Sequence, residues 1–134
     1  MINTRKKVLI VEDEAINAMS LRVSLERFGY EICELESTGE RAVLTAEEED
    51  PDVVIMDINL AGRMDGLEAA RIICSRRKTP IIFLTGYTDD EVVESACAVE
   101  GAVCIVKPAD PDDVTRAVET ILIAGSREKG SFRN

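Results

Sequence analysis

The sequence predicts an α/β fold, a doubly wound five-stranded parallel sheet with five helices. Segments with strand-like and helix-like patterns alternate along the whole chain. Three strand candidates are continuous apolar runs, Val-Leu-Ile-Val, Val-Val-Ile-Met and Ile-Ile-Phe-Leu, and such runs are typical of parallel strands that helices bury on both faces. The segments between the strands have helical patterns, and helices are the usual right-handed crossovers between parallel strands.

Five short segments carry the strand pattern: residues 8–11, 32–35, 53–56, 81–84 and 102–106. The second differs from the others because polar and apolar residues alternate in Glu-Ile-Cys-Glu-Leu, residues 31–35. Alternation indicates a strand with one face in water. We therefore expect the second strand to lie at an edge of the sheet.

Two of the five predicted helices carry a clear apolar stripe. The stripe of the first helix consists of Ala18, Leu21, Leu25 and Phe28. The stripe of the fifth consists of Val114, Val118, Ile121 and Leu122. Gly29 is expected to end the first helix, and Asp110-Pro111 places a capping residue and a proline at the start of the fifth.

The other three helices are predicted from their first residues. Residues 37–40 (Ser-Thr-Gly-Glu) and 88–91 (Thr-Asp-Asp-Glu) have capping-box spacing before the second and fourth helices, and Asp65 and Gly66 begin the third. A length of 134 residues fits one domain. We assign residues 1–124 to it, and residues 125–134, which lack periodicity, to a disordered tail or the beginning of a linker.

The composition excludes several classes of function. A formal net charge of −10 is unfavourable for direct binding to nucleic acid, which needs a basic surface. The absence of histidine removes Ser-His-Asp and Cys-His catalysis and most zinc sites. Cys33, Cys74, Cys97 and Cys104 lack metal-site spacing and are interpreted as small buried apolar residues. No segment resembles a membrane span or a secretory signal, so we expect a cytoplasmic location and no membrane partner.

Polar side chains follow four of the five predicted strands. Glu12 and Asp13 follow the first, Asp57 the third, Thr85 the fourth and Lys107 the fifth. Each has a simpler explanation when taken alone, such as a solvated helix start or a cap. Ligands of an open α/β sheet bind beyond the carboxyl ends of its strands. We therefore expect these side chains to converge on one rim of the sheet.

The combination of these groups supports phosphoryl chemistry at a magnesium site. Clustered carboxylates without histidine or thiolate form a hard oxygen site that suits Mg²⁺. A carboxylate can attack a phosphoryl group and become an aspartyl phosphate. The charge on the phosphoryl oxygens must then be neutralised by a metal and by a fixed cation and hydroxyl, for which Lys107 and Thr85 are candidates.

With this spacing, the set resembles the receiver domain of bacterial two-component response regulators. The matched stretches are Val-Leu-Ile-Val-Glu-Asp-Glu, Val-Val-Ile-Met-Asp-Ile-Asn-Leu, Met-Asp-Gly-Leu-Glu-Ala-Ala, Ile-Ile-Phe-Leu-Thr-Gly and Gly-Ala-Val-Cys-Ile-Val-Lys-Pro. The resemblance covers the chain from about residue 6 to about residue 123. It implies a flavodoxin-like sheet with strand order 2-1-3-4-5 and an apparently stand-alone signalling domain rather than an enzyme.

The resemblance also implies roles for the acidic residues of the rim and for Asn59. Asp57 is the implied phosphoacceptor and a ligand of Mg²⁺. Asp13 is a direct Mg²⁺ ligand, and Glu12 acts mainly through metal-bound water. Asn59 gives its backbone carbonyl to the metal. The loop 57–66 is one residue longer than is common in the family and lacks the usual proline, a form that is similar to a known subset of receivers.

At the other side of the site, Thr85 is implied to turn its hydroxyl onto the phosphoryl group and Lys107 to pair with a phosphoryl oxygen. The bond between Lys107 and Pro108 is expected to be cis, as in the family. Cys104 occupies the position where the family usually has an aromatic switch residue. Tyr87, close to the rim, is a candidate gate for access to the phosphoryl group, or else a half-buried loop residue.

The expected function is a phosphorylation-activated switch. A histidine kinase or a histidine phosphotransfer protein donates a phosphoryl group to Asp57 in a Mg²⁺-dependent reaction. The face formed by the fourth helix, the fifth strand and the fifth helix then changes and can bind a downstream protein. Two alternatives are open: a receiver-like interaction module that is never phosphorylated, and a phosphohydrolase of the haloacid dehalogenase type, which needs an aspartate where this chain has Asn59.

Overall fold

Five parallel strands form one sheet in the order β2-β1-β3-β4-β5. They are β1 (Lys7–Val11), β2 (Glu31–Ile32), β3 (Val53–Asp57), β4 (Ile81–Thr85) and β5 (Ala102–Val106). This computed structural model describes residues 5–60, 62–86, 94–95, 98–99 and 101–131. Strands β3 and β4 are buried along their whole length, as their continuous apolar runs predict.

Helices cover both faces of the sheet. They are α1 (Ala15–Arg27), α2 (Gly39–Glu49), α3 (Gly66–Arg76) and a C-terminal helix (Pro111–Ser131). Because successive strand residues point to opposite faces, Leu9 and Met56 pack under α2 and α3, whereas Ile10 and Ile55 pack under α1 and the C-terminal helix. The predicted strand order and the doubly wound architecture are confirmed. The start of the predicted fourth helix at 88–91 lies outside the described residues.

Strand β2 is shorter than predicted. Only Glu31 and Ile32 pair regularly with β1, whereas the sequence pattern indicated residues 32–35. Cys33 N donates to Val8 O at 2.9 Å and Glu36 N donates to Ile10 O at 3.1 Å. The donors are three positions apart in the chain but the acceptors are two positions apart, so the edge segment contains an extra residue, as in a β-bulge. The extra residue places Glu36 inside the protein, where it is 7% exposed.

The helix ends mostly follow their sequence signals. Asp65 caps α3 by accepting from Glu68 N at 2.9 Å, and the C-terminal helix begins at Pro111. The cap of α2 is Thr38, whose hydroxyl accepts from Arg41 N, one residue later than the capping-box spacing implied. The C-terminal helix continues through Ser131, into the segment that the sequence assigned to a tail.

One member of the apolar stripe of α1 is not buried. Ala18, Leu21 and Leu25 lie in the core, but Phe28 is 46% exposed. Helix α1 ends at Arg27 and Gly29 has a φ of +92°, so the helical period no longer applies at Phe28. Tyr30 packs against the core beneath α1.

The cysteines largely follow their interpretation as apolar residues. Cys33 is buried, and Cys74 and Cys104 are partly buried against the same core. Cys97 lies outside the described residues.

Candidate functional site

The carboxyl ends of four parallel strands meet at one rim of the sheet. Asp57 and Thr85 are the last residues of β3 and β4. Glu12 directly follows β1, and Lys107 directly follows β5. Because the strands are parallel and in register, residues that are far apart in the chain become neighbours here. This convergence is what the strand-end pattern of the sequence predicts.

Lys107 joins the two buried carboxylates of the rim. Its ammonium lies 3.0 Å from Asp57 Oδ2 and 3.1 Å from Glu12 Oε1. The side chains of Glu12 and Asp57 are 1% and 4% exposed. Burial alone would lower the pKa of Lys107, but hydrogen bonds to the two carboxylates outweigh it and the pKa is raised. Lys107 is therefore a fixed cation in direct contact with both acids.

The backbone around Lys107 is held in place on two sides. Lys107 N donates to Thr85 O at 2.7 Å, which ties the end of β5 to the end of β4. The peptide bond between Lys107 and Pro108 is cis, as the resemblance implied. Thr85 is fully buried and lies beside β3, since Leu84 is the register partner of Asp57.

Asp57 is also held from the loop that follows β3. Its Oδ1 accepts a hydrogen bond from Asn59 N at 3.0 Å. Helix α3 begins close to this loop: Gly66 N donates to Ile58 O at 3.0 Å, and a Cβ at Gly66 would collide with the carbonyl oxygen of Asp57. Only glycine therefore allows α3 to start this close to the acid.

A cavity of about 340 Å³ opens beside Asp57. It is lined by Asp13, Glu14, Asp57, Asn59, Gly86 and Lys107. One carboxylate oxygen from each of Glu12, Asp13 and Asp57 lies within 4.8 Å of the other two. Asp13 is exposed, in contrast to the other two acids. The cavity therefore brings a small ligand or ion to a group of three acids.

The state of Glu12 shows that this group of acids is incomplete by itself. Its Oε2 is buried and has no hydrogen-bond partner in the part of the chain that the structure describes. Burial, followed by the proximity and charge of Asp57, raises the pKa of Glu12 to about 7, although Lys107 acts in the opposite direction. An oxygen-only donor set with an unpaired buried oxygen fits a hard divalent cation such as Mg²⁺.

The sequence analysis missed two residues at this rim. Asn17 donates from its side-chain amide to Glu12 Oε1 at 3.3 Å. Glu36 accepts from Glu12 N at 2.9 Å through its backbone carbonyl, and Thr45 holds its buried carboxylate at 2.5 Å. Asn17 could have been found as a polar residue in the first turn of a helix that starts at the rim. Glu36 could not, because the bulge that turns it inward has no sequence signal.

Comparison with known proteins identifies the family. Residues 8–119 match the family model for the response regulator receiver domain. The chain belongs to this family. As a receiver domain, it is a signalling module of the two-component type. Among the described residues, no helix has the length and apolar character needed to cross a membrane.

Individual relatives agree with this assignment. The receiver domain is 40% identical to the transcriptional regulatory protein PdtaR of Mycobacterium tuberculosis, over 85% of this chain and 55% of that protein. It is 36% identical to ResD of Bacillus subtilis, over 90% of this chain and 50% of ResD. The chain thus spans about half the length of these curated relatives.

Solved structures show the same fold. A CheY-like receiver domain protein from Methanospirillum hungatei has a TM-score of 0.87 at 27% identity, covering 93% of this chain and 99% of that one. The signal receiver domain of a modulated diguanylate cyclase from Desulfovibrio desulfuricans has a TM-score of 0.83 at 34% identity, covering 92% and 98%. These likenesses concern the fold and the family.

Proposed function

We propose that this receiver domain is a phosphorylation-activated switch that accepts a phosphoryl group on Asp57 from a histidine kinase or a histidine phosphotransfer protein. The observation that carries the proposal is the position of Lys107, whose ammonium contacts both Asp57 and Glu12. A cation fixed beside a nearly buried carboxylate is suited to stabilise charge that arrives on that carboxylate.

Asp57 is the nucleophile. Its carboxylate borders the cavity and is oriented by Asn59 N at one oxygen and Lys107 at the other. A carboxylate oxygen attacks phosphorus while the bond from phosphorus to the donor's imidazole nitrogen breaks, and the imidazole takes up a proton. Lys107 then moves from Asp57 to an oxygen of the phosphoryl group. Thr85, at the end of the adjacent strand, turns its hydroxyl toward the same group.

The acids of the rim are the proposed Mg²⁺ site. Asp13 and Asp57 would bind the cation through carboxylate oxygens, Asn59 through its backbone carbonyl, and Glu12 mainly through water. When bound, the cation neutralises charge on the phosphoryl oxygens. Support comes from the three-acid group and from the unpaired Oε2 of Glu12. Occupation of the site would also relieve the repulsion between Glu12 and Asp57 that raises the pKa of Glu12.

The output is a change of surface that a downstream protein recognises. The proposed surface comprises the predicted fourth helix together with β5 and the C-terminal helix; among these, β5 leads directly into Lys107. Val103 and Val106 of β5 are 40% and 47% exposed, and exposed apolar side chains favour contact with a protein. Neither nucleic acid nor a membrane is proposed as a direct partner of this acidic domain.

The deciding experiment is incubation with acetyl phosphate and Mg²⁺, followed by intact mass measurement. We expect the wild-type protein to gain the mass of one phosphoryl group, and Asp57→Asn and EDTA-treated protein to gain none. Asp113→Asn is the matched control because this aspartate is exposed and pairs only with Arg116 among the described residues; it should still be modified. No adduct at any Mg²⁺ concentration would favour an interaction module that is not phosphorylated. Repeated turnover of a phosphate ester would favour a phosphohydrolase.

A further inference from the structure

Asn17 contacts one acid of the rim, Glu12, from α1, a helix with no part in the proposed phosphoryl transfer. Its side-chain amide donates to Glu12 Oε1 at 3.3 Å, the same oxygen that accepts from Lys107 Nζ at 3.1 Å. Two donors from two different elements therefore share one oxygen of Glu12. The other oxygen, Oε2, is the buried atom that has no partner within the described part of the chain.

We propose that Asn17 is a positioning residue that holds the carboxylate of Glu12 so that Oε2 stays directed at the cation site. The inference rests on the proposed function, because it takes the three acids to be the Mg²⁺ site. A carboxylate held by one donor can pivot about that contact, whereas two donors from separate elements restrict its rotation. Such restriction raises affinity because less orientational freedom is lost when the cation binds.

The contribution of Asn17 is expected to grow after phosphorylation. In the proposed reaction Lys107 leaves the carboxylates for a phosphoryl oxygen, so Glu12 Oε1 loses one of its two donors. Asn17 does not depend on that event, because α1 is anchored in the core through Ala18 and Leu21. Asn17 is then the donor that continues to orient Glu12.

The affinity for Mg²⁺ and the melting temperature of Asn17→Ala distinguish a positioning role from a purely structural one. The side chain of Asn17 is exposed, and alanine is a better helix former than asparagine. Without divalent cations, this gain in helix propensity and the loss of the hydrogen bond to Glu12 act in opposite directions, so the melting temperature should change little. The affinity for Mg²⁺ should fall at the same time, which a residue that only supports α1 would not cause.

The test is titration calorimetry with MgCl₂, combined with thermal melting in EDTA. We expect Asn17→Ala and Asn17→Leu to bind Mg²⁺ about three- to tenfold more weakly than wild type, the range for loss of one ordinary hydrogen bond, since the contact of 3.3 Å is long for a charge-assisted one. Ser20→Ala is the matched control on the next turn of α1, since its hydroxyl bonds to Ile16 O at 3.0 Å; its affinity should equal that of wild type. In a Glu12→Ala background, Asn17→Ala should cause no further loss.

The outcomes separate this inference from the function on which it rests. Wild-type affinity in Asn17→Ala would overturn the positioning role and leave the proposed function standing. A further loss in the Glu12→Ala background would also overturn it, because Asn17 would then act by another route. If wild-type protein binds no Mg²⁺, both the metal site and the role of Asn17 are refuted. A loss of affinity that appears with Glu12 present and disappears without it supports the inference.

Discussion

Two polar clusters inside this receiver domain use similar groups for different purposes. The rim cluster consists of Glu12, Asp57 and Lys107. The interhelix cluster consists of Ser24 and Arg27 of α1 with Asp112 and Thr115 of the C-terminal helix. In the rim cluster, one buried oxygen of Glu12 has no partner among the described residues. In the interhelix cluster every buried side-chain oxygen is bonded.

The bonds of the interhelix cluster form a closed set. The hydroxyl of Ser24 donates to Asp112 Oδ1 at 2.6 Å and lies 2.8 Å from Thr115 Oγ1. Because the proton of Ser24 goes to Asp112, the single proton of Thr115 is shared between Ser24 Oγ and Pro111 O, which lies at 3.0 Å. Buried polar atoms cost free energy unless they are paired. The buried oxygens of this cluster are paired, so the cluster joins two helices without that cost. In the rim cluster the unpaired Oε2 of Glu12 costs free energy. Such a cost is expected where a ligand completes the site.

The two clusters also shift acid pKa values in opposite directions. The hydrogen bond from Ser24 lowers the pKa of Asp112; loss of solvent contact opposes this, and Arg27 adds to the lowering. Burial and the nearby Asp57 raise the pKa of Glu12 to about 7. Folding therefore favours the charged form of Asp112 and the protonated form of Glu12, so that pH should distinguish the clusters.

The largest predicted effect is a loss of stability as pH rises in the absence of divalent cations, and it is caused by Glu12. Its stabilising contribution is complete below its ordinary pKa of 4.5 and is lost as pH rises through about 7. Between pH 5 and pH 8 the free energy of unfolding should fall by about 2–3 kcal/mol, at about 1.4 kcal/mol per pH unit. The chain has no histidine to mask this slope. Urea denaturation in EDTA measures it, and Glu12→Gln should flatten it; an equal slope in the variant would refute the assignment.

The next effect is stabilisation of the rim cluster by Mg²⁺. At a free concentration ten times the dissociation constant, binding to the folded state adds about 1.4 kcal/mol. The melting temperature of wild type should therefore rise with added MgCl₂, and that of Asp13→Ala should rise less. Ser24→Ala should show the full wild-type shift because the interhelix cluster binds no metal. Equal shifts in wild type and Asp13→Ala would contradict the assignment of Asp13 as a ligand.

A smaller loss is expected when the interhelix cluster is broken. Ser24→Ala removes the hydroxyl that bonds to Asp112 and Thr115 and should lower the free energy of unfolding by about 1 kcal/mol at pH 7. The stabilisation from the lowered pKa of Asp112 is present above its ordinary value of 3.8 and is lost as pH falls through its value in the folded protein. The difference between wild type and variant, measured by urea denaturation, should therefore shrink on acidification. A constant difference would show that Asp112 is not involved.

The smallest effect is expected at the outer edge of the interhelix cluster. Arg27 Nη2 lies 3.2 Å from Asp112 Oδ1, and the two side chains are 64% and 41% exposed. Exposed ion pairs of this kind contribute little to stability and are screened by salt. Arg27→Ala should therefore change stability by less than Ser24→Ala does, and 1 M NaCl should abolish the change. A loss larger than that of Ser24→Ala would mean that the ion pair, rather than the hydroxyl, holds the cluster together.

The rim cluster could be predicted from the sequence because its residues directly end or follow apolar strands. Parallel strands bring their carboxyl ends to one edge, so the positions of Asp57 and Lys107 in the chain were enough to place them together. The interhelix cluster was not predicted. Ser24 and Thr115 look like ordinary polar residues on two amphipathic helices, and their contact depends on how α1 packs beside the C-terminal helix.

The errors in the local predictions concern the ends of strands and helices. Residues 32–35 have a strand-like alternation, but the extra residue before Glu36 interrupts regular pairing with β1. Phe28 fits the apolar period of α1, but the helix ends one residue earlier. Thr38 rather than Ser37 caps α2 because the first turn starts at Gly39. In each case the type of element was right and its end was misplaced by one or a few residues.

The sequence by itself determined the alternation of strands and helices, the burial of the central strands and the set of acids, hydroxyl and ammonium at the rim. Those features follow from local periodicity and from the geometry that all parallel sheets share. Only the tertiary structure decided that Lys107 contacts both carboxylates, that Asn17 and Glu36 hold Glu12, and that one oxygen of Glu12 has no described partner. Such contacts depend on distances of a few tenths of an ångström between segments distant in the chain, and packing rather than local sequence sets those distances.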